Sequence, residues 1–265
     1  MTVSALIFDS GIGGFSVLQH IRQAVPGLET HYLMDNQLFP YGIQPDDILT
    51  ERIVSLCQTA YSKHAVDIIV IACNTASTLA LPALRDVFDI PIIGVVPAIK
   101  TAAQFSINRH IALLATPATI DRPYTDQLIA DYAEGCKVDR IGSSKLVQLA
   151  EQYWLTGQLD TQALDNILLP WIEQATLDQV ILGCTHFPVL SEEISKRYPH
   201  IGLVDSGQAI ARRLCFILQQ QGHDLAVLQQ PSTQHYFLST GAIANKEAFF
   251  SACQRIAPYQ SFNII

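Results

Sequence analysis

Ile68-Ile69-Val70-Ile71-Ala72 leads into Cys73-Asn74-Thr75, and Val180-Ile181-Leu182-Gly183 leads into Cys184-Thr185-His186. Short apolar runs bounded by polar loops are typical of buried strands in a parallel sheet. Each run therefore predicts a thiol at the carboxyl end of a strand, the edge at which open α/β sheets bind their ligands. Two thiols on equivalent loops predict one thiol on each side of a single substrate. Such a pair suits proton removal on one face and proton delivery on the other.

Strand-like and helix-like segments alternate along the chain, which predicts a doubly wound α/β architecture. Apolar runs predict strands at 5–9, 31–34, 68–72, 92–95, 111–115, 138–141, 180–183, 201–204 and 236–238. Helical periodicity predicts helices at 15–25, 46–64, 75–84, 121–132, 144–156, 161–176, 206–221 and 246–254. Between the two sets lies the polar segment 116–119, which we expect to be a loop.

The order of these segments repeats along the chain. A strand that ends at Asp9 precedes the Cys73 strand, and a strand that ends near Thr116 precedes the Cys184 strand by a similar interval. The repeat predicts two α/β domains with mainly parallel central sheets that face each other about a pseudo-twofold axis. Chance similarity between α/β segments is the alternative, because short apolar strands are common. The periodicity does not decide whether the chain after about Asp205 returns to the first domain.

Composition narrows the class of protein. Hydrophobic residues make up 49% of the chain and charged residues 15%, which predicts a sizeable core. The net charge of −8 argues against non-specific nucleic-acid binding. The N-terminus lacks the basic region of a secretory signal, and no apolar stretch approaches the roughly 18 residues of a spanning helix. We therefore expect a cytoplasmic protein with no membrane partner and with six reduced cysteines, whose spacing predicts no metal site.

Two further loops carry polar groups. Asp9-Ser10-Gly11-Ile12-Gly13-Gly14 follows a strand and opens a helix, which favours a site for a small carboxylate over a simple tight turn. A dinucleotide site is disfavoured because Ser16 stands in place of the third glycine of the G-x-G-x-x-G motif. Phe39-Pro40-Tyr41-Gly42 is, by its composition, most simply a surface turn with a packed aromatic ring.

The cysteines have two interpretations. A buried cysteine is usually inert, whereas helix N-termini and nearby cations favour the reactive thiolate. Two thiols at equivalent loop positions, each followed by amide or hydroxyl side chains, favour acid–base chemistry at Cys73 and Cys184. His186 and Asp9 are candidates to orient these thiols, although a lone histidine is often only a satisfied polar residue. The other four are interpreted as packing residues: Cys57, Cys136, Cys215 and Cys253.

Five segments together resemble the motifs of the cofactor-independent glutamate racemases of the aspartate/glutamate racemase superfamily. They are Asp9-Ser10-Gly11-Ile12-Gly13-Gly14, Phe39-Pro40-Tyr41-Gly42, Ala72-Cys73-Asn74-Thr75-Ala76, Gly183-Cys184-Thr185-His186-Phe187-Pro188 and Val204-Asp205-Ser206-Gly207. The resemblance implies a first α/β domain of residues 1–97 plus 208–265 and a second of residues 98–207. It also implies interconversion of L- and D-glutamate without cofactor or metal, which supplies D-glutamate for peptidoglycan synthesis.

The resemblance also implies roles for individual residues. Cys73 and Cys184 would be the two acid/base thiols, acting on the D and L isomers respectively, with Asp9 and His186 as their helpers. Glu151 matches a supporting acidic position, although Ser143-Ser144 replaces the Cys-Pro common before it. The substrate-contacting positions are Ser10, Pro40, Tyr41, Gly42, Asn74, Thr75, Thr119 and Thr185. The loop at 114–119 resembles those of members activated by a UDP-linked peptidoglycan precursor, and a homodimer is compatible with the resemblance.

Three alternatives stay open. Aspartate and hydantoin racemases share the scaffold and differ in substrate. A noncatalytic protein that binds small anions would need no paired thiols. A cysteine hydrolase would need one Cys–His pair and an oxyanion hole, and it would leave the second thiol idle.

Overall fold

The computed structural model describes residues 3–265, so the first two residues of the predicted first domain lie outside the described part of the chain. These residues form two compact units. One comprises residues 3–95 and Gly207–Ile265, and the other comprises Val96–Ser206. Each unit contains one sheet in which all paired strands are parallel. The predicted α/β class is confirmed.

Helices and strands alternate along the chain. In order they are β1 (Ser4–Asp9), α1 (Gly14–Ala24), β2 (Glu29–Met34), α2 (Asp46–Lys63), β3 (Ile68–Ile71), α3 (Asn74–Val87), β4 (Ile92–Gly94), α4 (Ile99–Phe105), β5 (His110–Ala115), α5 (Pro117–Ile120), α6 (Pro123–Tyr132), β6 (Lys137–Gly142), α7 (Ser144–Thr156), α8 (Thr161–Ile172), β7 (Gln179–Leu182), α9 (Ser191–Arg197), β8 (Gly202–Val204), α10 (Gly207–Gln220), β9 (His235–Ser239), α11 (Lys246–Gln254) and β10 (Ser261–Ile264).

The first unit is a six-stranded sheet covered by helices on both faces. Its strand order is β10-β9-β2-β1-β3-β4, so the last part of the chain adds β9 beside β2. β1 and β3 lie at the centre and are buried along their whole length, which explains why they are continuous apolar runs. Helices α2 and α3 pack on one face, and α1 covers the other by stacking Phe15 on Tyr32, with ring centroids 4.2 Å apart.

The second unit is a four-stranded sheet of order β6-β5-β7-β8. Its central strand β5 is fully buried, and α4 and α6 pack against the face that carries Leu113 and Ile181. Leu114 pairs with Leu182 where β5 and β7 end, so the loops after both strands emerge side by side. In the part of the chain that the structure describes, no helix combines the length and apolar character needed to cross a membrane.

Several boundaries differ from the sequence-based expectation. The segment at 116–119, expected to be a loop, contains the short helix α5, because the Thr116 hydroxyl accepts the N–H of Thr119 and Pro117 occupies the first turn. The stretch after Cys184 begins with a 3₁₀ turn at Phe187–Leu190 before α9. The helix expected to reach residue 176 ends at Ile172. Helix α4 and strand β10 were not predicted, since both are short and weakly periodic.

Candidate active site

Each thiol lies at the point where the strand order of its sheet reverses. In the first sheet the chain passes from β1 to β2 on one side and later to β3 on the other, and Cys73 follows β3. In the second sheet β6 lies on one side of β5 and β7 on the other, and Cys184 follows β7. Open α/β sheets bind ligands in the crevice at such switch points. Topology alone therefore places both cysteines where chemistry is expected.

Cys73 is buried and has a hydroxyl neighbour. The Oγ atom of Ser10 lies 3.9 Å from the Sγ atom of Cys73, because the carboxyl ends of β1 and β3 are adjacent. Cys73 is also the residue that precedes the first turn of α3, a helix of 14 residues. The free N–H groups of a helix N-terminus stabilise a thiolate. Ser10, predicted to contact substrate, thus also lies against the thiol.

Asp9 shapes the loop that follows β1. Its side chain is fully buried, and Oδ1 accepts the N–H of Gly11 at 2.8 Å. The hydroxyl of Tyr32 donates to the carbonyl of Gly11 at 2.7 Å. A Cβ atom at Gly14 would lie 2.7 Å from that hydroxyl, so only glycine fits this close approach. The tight turn and the buried carboxylate therefore occur together, and the helper role of Asp9 stays a prediction.

The loop that contains Pro40, Tyr41 and Gly42 is a turn whose aromatic ring is buried while its flanking residues reach the surface. Tyr41 is 1% exposed, and its hydroxyl donates to Oδ2 of Asp35 at 2.7 Å. Its ring packs in the same apolar cluster as Cys73. Burial and the charge of Asp35 raise the pKa of Tyr41, so its hydroxyl is a neutral donor. The aromatic ring is packed, as expected, while Pro40 is half-buried and Ile43 is exposed.

Asn74 and Thr75 begin α3 and are both buried. The Nδ2 group of Asn74 is a buried donor with no hydrogen-bond partner among the described residues. A buried donor that lacks an acceptor is costly, typically by about 1–3 kcal/mol. An anionic group bound at the start of α3 would supply that acceptor.

The second thiol belongs to a chain of three polar side chains. Sγ of Cys184 lies 3.8 Å from Nδ1 of His186, and Nε2 of His186 lies 2.8 Å from Oε1 of Glu151. Burial alone would lower the pKa of His186, but its hydrogen bonds to Cys184 and Glu151, and the charges of those groups, outweigh burial and raise that pKa well above its usual value. The raised pKa favours the imidazolium form, in which Nδ1 faces the sulfur of Cys184 and Nε2 faces the carboxylate of Glu151.

Helix α7 brings Glu151 to this position. Ser143 caps it, because its hydroxyl accepts the N–H of Leu146 at 3.1 Å, so the serine that departs from the family pattern has a structural role. Thr185 is buried beside Cys184. Thr119 is fully buried, with its hydroxyl 3.0 Å from that of Thr116. Thr185 thus lies on the loop that follows β7, and Thr119 lies in α5, just after β5.

The remaining cysteines differ from the two loop thiols. Cys57 and Cys253 are fully buried, and burial raises the pKa of each, which keeps them as inert thiols. Cys136 and Cys215 are half-buried, and none of the six cysteines forms a disulfide bond within the described residues. Within residues 3–265, no group of three or more His, Cys, Asp or Glu side chains could hold a metal ion.

No sequence pattern points to Asp35, Arg52 and Thr240, three residues that lie near Tyr41. Asp35 is a buried carboxylate that also receives hydrogen bonds from Arg52 and Thr240. Thr240 lies 205 positions after Asp35, so no local spacing could reveal the contact. The pairing of His186 with Glu151 was likewise invisible as a pattern, although both residues were singled out by resemblance.

Comparison with known proteins identifies the class. The model of the Asp/Glu/Hydantoin racemase family matches residues 12–214. The chain belongs to this family, whose members are isomerases. The glutamate racemase of Photorhabdus laumondii is 47% identical over 222 residues, which cover 83% of this chain and 77% of that protein. The glutamate racemase of Histophilus somni is 47% identical over 215 residues, which cover 81% of this chain and 80% of that protein.

Solved structures agree with this assignment. The crystal structure of Escherichia coli glutamate racemase, in complex with L-glutamate and the activator UDP-MurNAc-Ala, has 37% sequence identity and a TM-score of 0.90, and the match covers 100% of this chain and 98% of that one. A glutamate racemase isoform from Bacillus anthracis has 26% identity and a TM-score of 0.80, with 100% and 96% covered. The chain is therefore similar to glutamate racemases in both sequence and fold.

Proposed function

We propose that this protein is a glutamate racemase that interconverts L- and D-glutamate by proton transfer between two cysteines. The observation that carries the proposal is the position of Cys73 and Cys184, each at the switch point of a parallel sheet and each beside a polar partner. The similarity to glutamate racemases supports glutamate as the substrate. A single base would mostly return a proton to the face it left, so inversion requires two.

The proposed reaction balances without any added group. In the L-to-D direction the thiolate of Cys184 removes the α-proton, and the thiol of Cys73 delivers its proton to the opposite face of the carbanion. The enzyme then holds a thiol at Cys184 and a thiolate at Cys73, the form that acts on D-glutamate. Neither a cofactor nor a metal is needed, because every proton that one thiol gains the other has given up.

The local partners suit these roles. The imidazolium of His186 stabilises the thiolate of Cys184, and the carboxylate of Glu151 in turn stabilises the imidazolium. On the other side, the N-terminus of α3 and the hydroxyl of Ser10 favour the thiolate of Cys73. Asp9 and His186 would thus assist the two proton transfers from separate loops.

The negative charge that develops when the α-proton is removed must be stabilised by hydrogen-bond donors. The α-proton of an amino acid is weakly acidic next to a carboxylate, and preorganised donors contribute roughly 3–4 kcal/mol each in a dry site. Asn74 offers a buried donor that has no hydrogen-bond partner within residues 3–265, at the start of a helix that favours anions. We therefore assign Asn74 to the substrate carboxylate, with Thr75 and Thr185 as further hydroxyl donors and with the loop of Pro40, Tyr41 and Gly42 as a substrate wall. Thr119 would add a hydroxyl from α5.

The test begins with circular dichroism of L-glutamate in the presence of the purified protein and no added cofactor. Decay of the signal supports the proposal, whereas a signal that stays constant for hours at micromolar protein, with UDP-MurNAc-L-Ala also present, refutes it. Aspartate, alanine and hydantoins in the same assay separate this function from those of related racemases.

Single-thiol variants test the mechanism. Cys73→Ser and Cys184→Ser should each abolish racemisation, and α-proton exchange with D₂O should persist for only one isomer in each variant. Cys215→Ser, a change at a half-buried thiol of α10 outside the site, is the matched control for the loss of a sulfur atom. Racemisation by both variants at the wild-type rate would rule out the two-thiol scheme.

A cysteine hydrolase deserves comparison because Glu151, His186 and Cys184 follow the order carboxylate, imidazole and thiol. That reaction would use Cys184 alone, so Cys73→Ser would retain full activity toward an activated ester such as p-nitrophenyl acetate. The racemase proposal expects no turnover of that ester in either variant. The family match favours the racemase.

D-Glutamate is a component of peptidoglycan, so the proposed biological role is supply of this precursor in the cytoplasm. The E. coli relative was crystallised with a UDP-linked precursor as activator. We propose the same dependence here, and racemisation assays with and without UDP-MurNAc-L-Ala test it. An unchanged rate at saturating precursor would contradict this part of the proposal while leaving the chemistry intact.

A further inference from the structure

A buried carboxylate that the proposed mechanism leaves unused lies at the carboxyl end of β2. Asp35 is fully buried and accepts hydrogen bonds from three side chains. Tyr41 donates its hydroxyl at 2.7 Å, and Thr240 donates its hydroxyl at 2.6 Å. Arg52 donates through Nε at 2.5 Å and through Nη2 at 2.6 Å, one bond to each carboxylate oxygen. Such a bidentate pair fixes orientation as well as charge.

The donors come from three separate parts of the first unit. Arg52 belongs to α2, Tyr41 belongs to the loop before α2, and Thr240 directly follows β9. The network is reinforced by Gln37, which accepts a bond from Arg52 at 2.9 Å and donates its N–H to the Thr240 hydroxyl at 3.2 Å. Asp35 therefore joins the end of the chain to the loop that carries Tyr41.

The negative charge of Asp35 determines the direction of the hydrogen bonds in the network. Burial by itself would raise the pKa of Asp35, but the bonds from Arg52, Thr240 and Tyr41 outweigh burial and lower it. An ionised Asp35 can only accept hydrogen bonds, so Tyr41 must be the donor. Burying an ion pair contributes little stability compared with apolar packing. A role in fixing geometry accounts better for its presence.

Tyr41 connects the hydrogen-bond network of Asp35 to the surroundings of Cys73. The ring of Tyr41 packs in one cluster with Cys73 and Ala76, and it lies 6.2 Å from the ring of Phe8, the residue before Asp9. Displacing Tyr41 would therefore disturb both the loop after β1 and the surroundings of Cys73.

We propose that Arg52 and Thr240 are positioning residues that clamp Asp35, so that Asp35 fixes Tyr41 and holds residues 40–42 in place beside Cys73. Neither residue is expected to contact the reacting carbon. The inference rests on the proposed racemisation and extends it to residues outside the substrate-contacting loops.

The first test removes one hydroxyl without changing side-chain shape. Thr240→Val should lower kcat/KM for glutamate by about tenfold, which corresponds to about 1.4 kcal/mol, because it deletes a hydrogen bond to a charged group. Thr240→Ser retains the hydroxyl and should stay within about twofold of the wild type. Arg52→Met should lose at least as much as Thr240→Val, and Arg85→Met, at an exposed arginine of α3, should lose nothing.

The second test distinguishes positioning from general loss of stability. In a Cys184→Ser background, exchange of the α-proton of D-glutamate with D₂O reports the Cys73 half alone. In a Cys73→Ser background, exchange of L-glutamate reports the Cys184 half. At saturating substrate, Thr240→Val should slow the first exchange by about tenfold and the second by less than about twofold. NMR follows both exchanges, and urea unfolding of each variant is measured in parallel.

The outcomes are separable. Selective loss of Cys73-dependent exchange, with recovery in Thr240→Ser, supports the proposal. Wild-type kinetics in both Thr240→Val and Arg52→Met overturn it, and so does equal slowing of both exchanges in step with a fall in the urea midpoint. If the wild-type protein does not racemise glutamate at all, the proposed function fails and this inference fails with it. Enantiomers have equal free energies, so the equilibrium constant is unity and kcat/KM must be equal for L- and D-glutamate. Every racemising variant must satisfy this equality, which provides an internal check on its kinetic data.

Discussion

Glu151→Gln probes the link between a carboxylate and the imidazolium that supports Cys184. The glutamine keeps an acceptor facing Nε2 of His186 but removes the charge. His186 is 2% exposed, so water barely screens its ring, whereas the side chain of Glu151 is 27% exposed, which weakens the pair. A hydrogen bond between charged groups contributes about 1.5–3 kcal/mol and a neutral one about 1 kcal/mol. We expect a net loss of about 1 kcal/mol, or about fivefold in kcat/KM for L-glutamate.

The same substitution makes a signed prediction for stability. The pKa of His186 is raised in the folded protein, so its stabilisation is fully present below the unfolded pKa of about 6.5 and is lost as pH rises through the folded value. The stability deficit of Glu151→Gln should therefore be largest near pH 6 and shrink in alkaline solution. Urea midpoints from pH 6 to pH 10 measure it.

A matched control removes the same charge elsewhere in the second unit. Glu134 is exposed, so Glu134→Gln should leave both kcat/KM and the pH dependence of the urea midpoint unchanged. The reasoning is refuted if Glu151→Gln racemises L-glutamate like the control, or if its stability deficit grows as pH is raised.

Three further changes test other parts of the molecule. Gly14→Ala should destabilise the protein by about 1–3 kcal/mol in urea unfolding and lower activity, because the added Cβ would lie 2.7 Å from the hydroxyl of Tyr32. Ser143→Ala removes the cap of the helix that carries Glu151 and should cost about 1 kcal/mol, seen as a lower thermal midpoint that Ser143→Thr largely restores. Burial, and then the charges of His64 and His235, lower the pKa of His31 to about 4, against the opposing effect of the Glu29 carboxylate 3.1 Å from its Nε2. The unfolded chain therefore binds the proton first as pH falls, and stability should drop by about 2 kcal/mol between pH 7.5 and pH 5 on this account. His31→Phe should flatten that fall in urea midpoints, and an equally steep fall would contradict it.

Much of the fold could be predicted because its determinants are local. The runs before Cys73 and Cys184 are buried on both faces of a sheet, so they are continuously apolar and stand out from their flanks. Strand β10 could not be predicted, because it is a half-exposed edge strand with no clear alternation. The polar segment at 116–119 was misjudged for another reason: its cap and its proline build a helical turn from residues that also favour loops.

The residues of the candidate site also fall into a group that the sequence reveals and a group that it does not. The thiols and His186 lie in short motifs whose spacing is visible, whereas the partners that hold them come from distant segments. Glu151 reaches His186 across 35 positions, and Thr240 reaches Asp35 across 205. Only the three-dimensional arrangement of strands brings these groups together. Tyr41 illustrates the limit, since the composition of its loop predicts a packed aromatic ring but does not reveal Asp35 as the partner of its hydroxyl.

The sheet that carries Cys73 is completed by β9 and β10, strands that are synthesised after the second unit. β2 is bordered by β1 on one side and by β9 on the other, and β9 follows the whole stretch from Val96 to Ser206. Until β9 emerges, β2 presents an open row of backbone N–H and C=O groups, which is a template for aggregation. The second unit is formed by one continuous stretch of chain. We therefore expect it to fold before β9 has been synthesised. A chain that terminates before β9 is therefore expected to fold its second unit, which carries Cys184. Its first unit would expose β2 as an unpaired edge strand that is prone to aggregation.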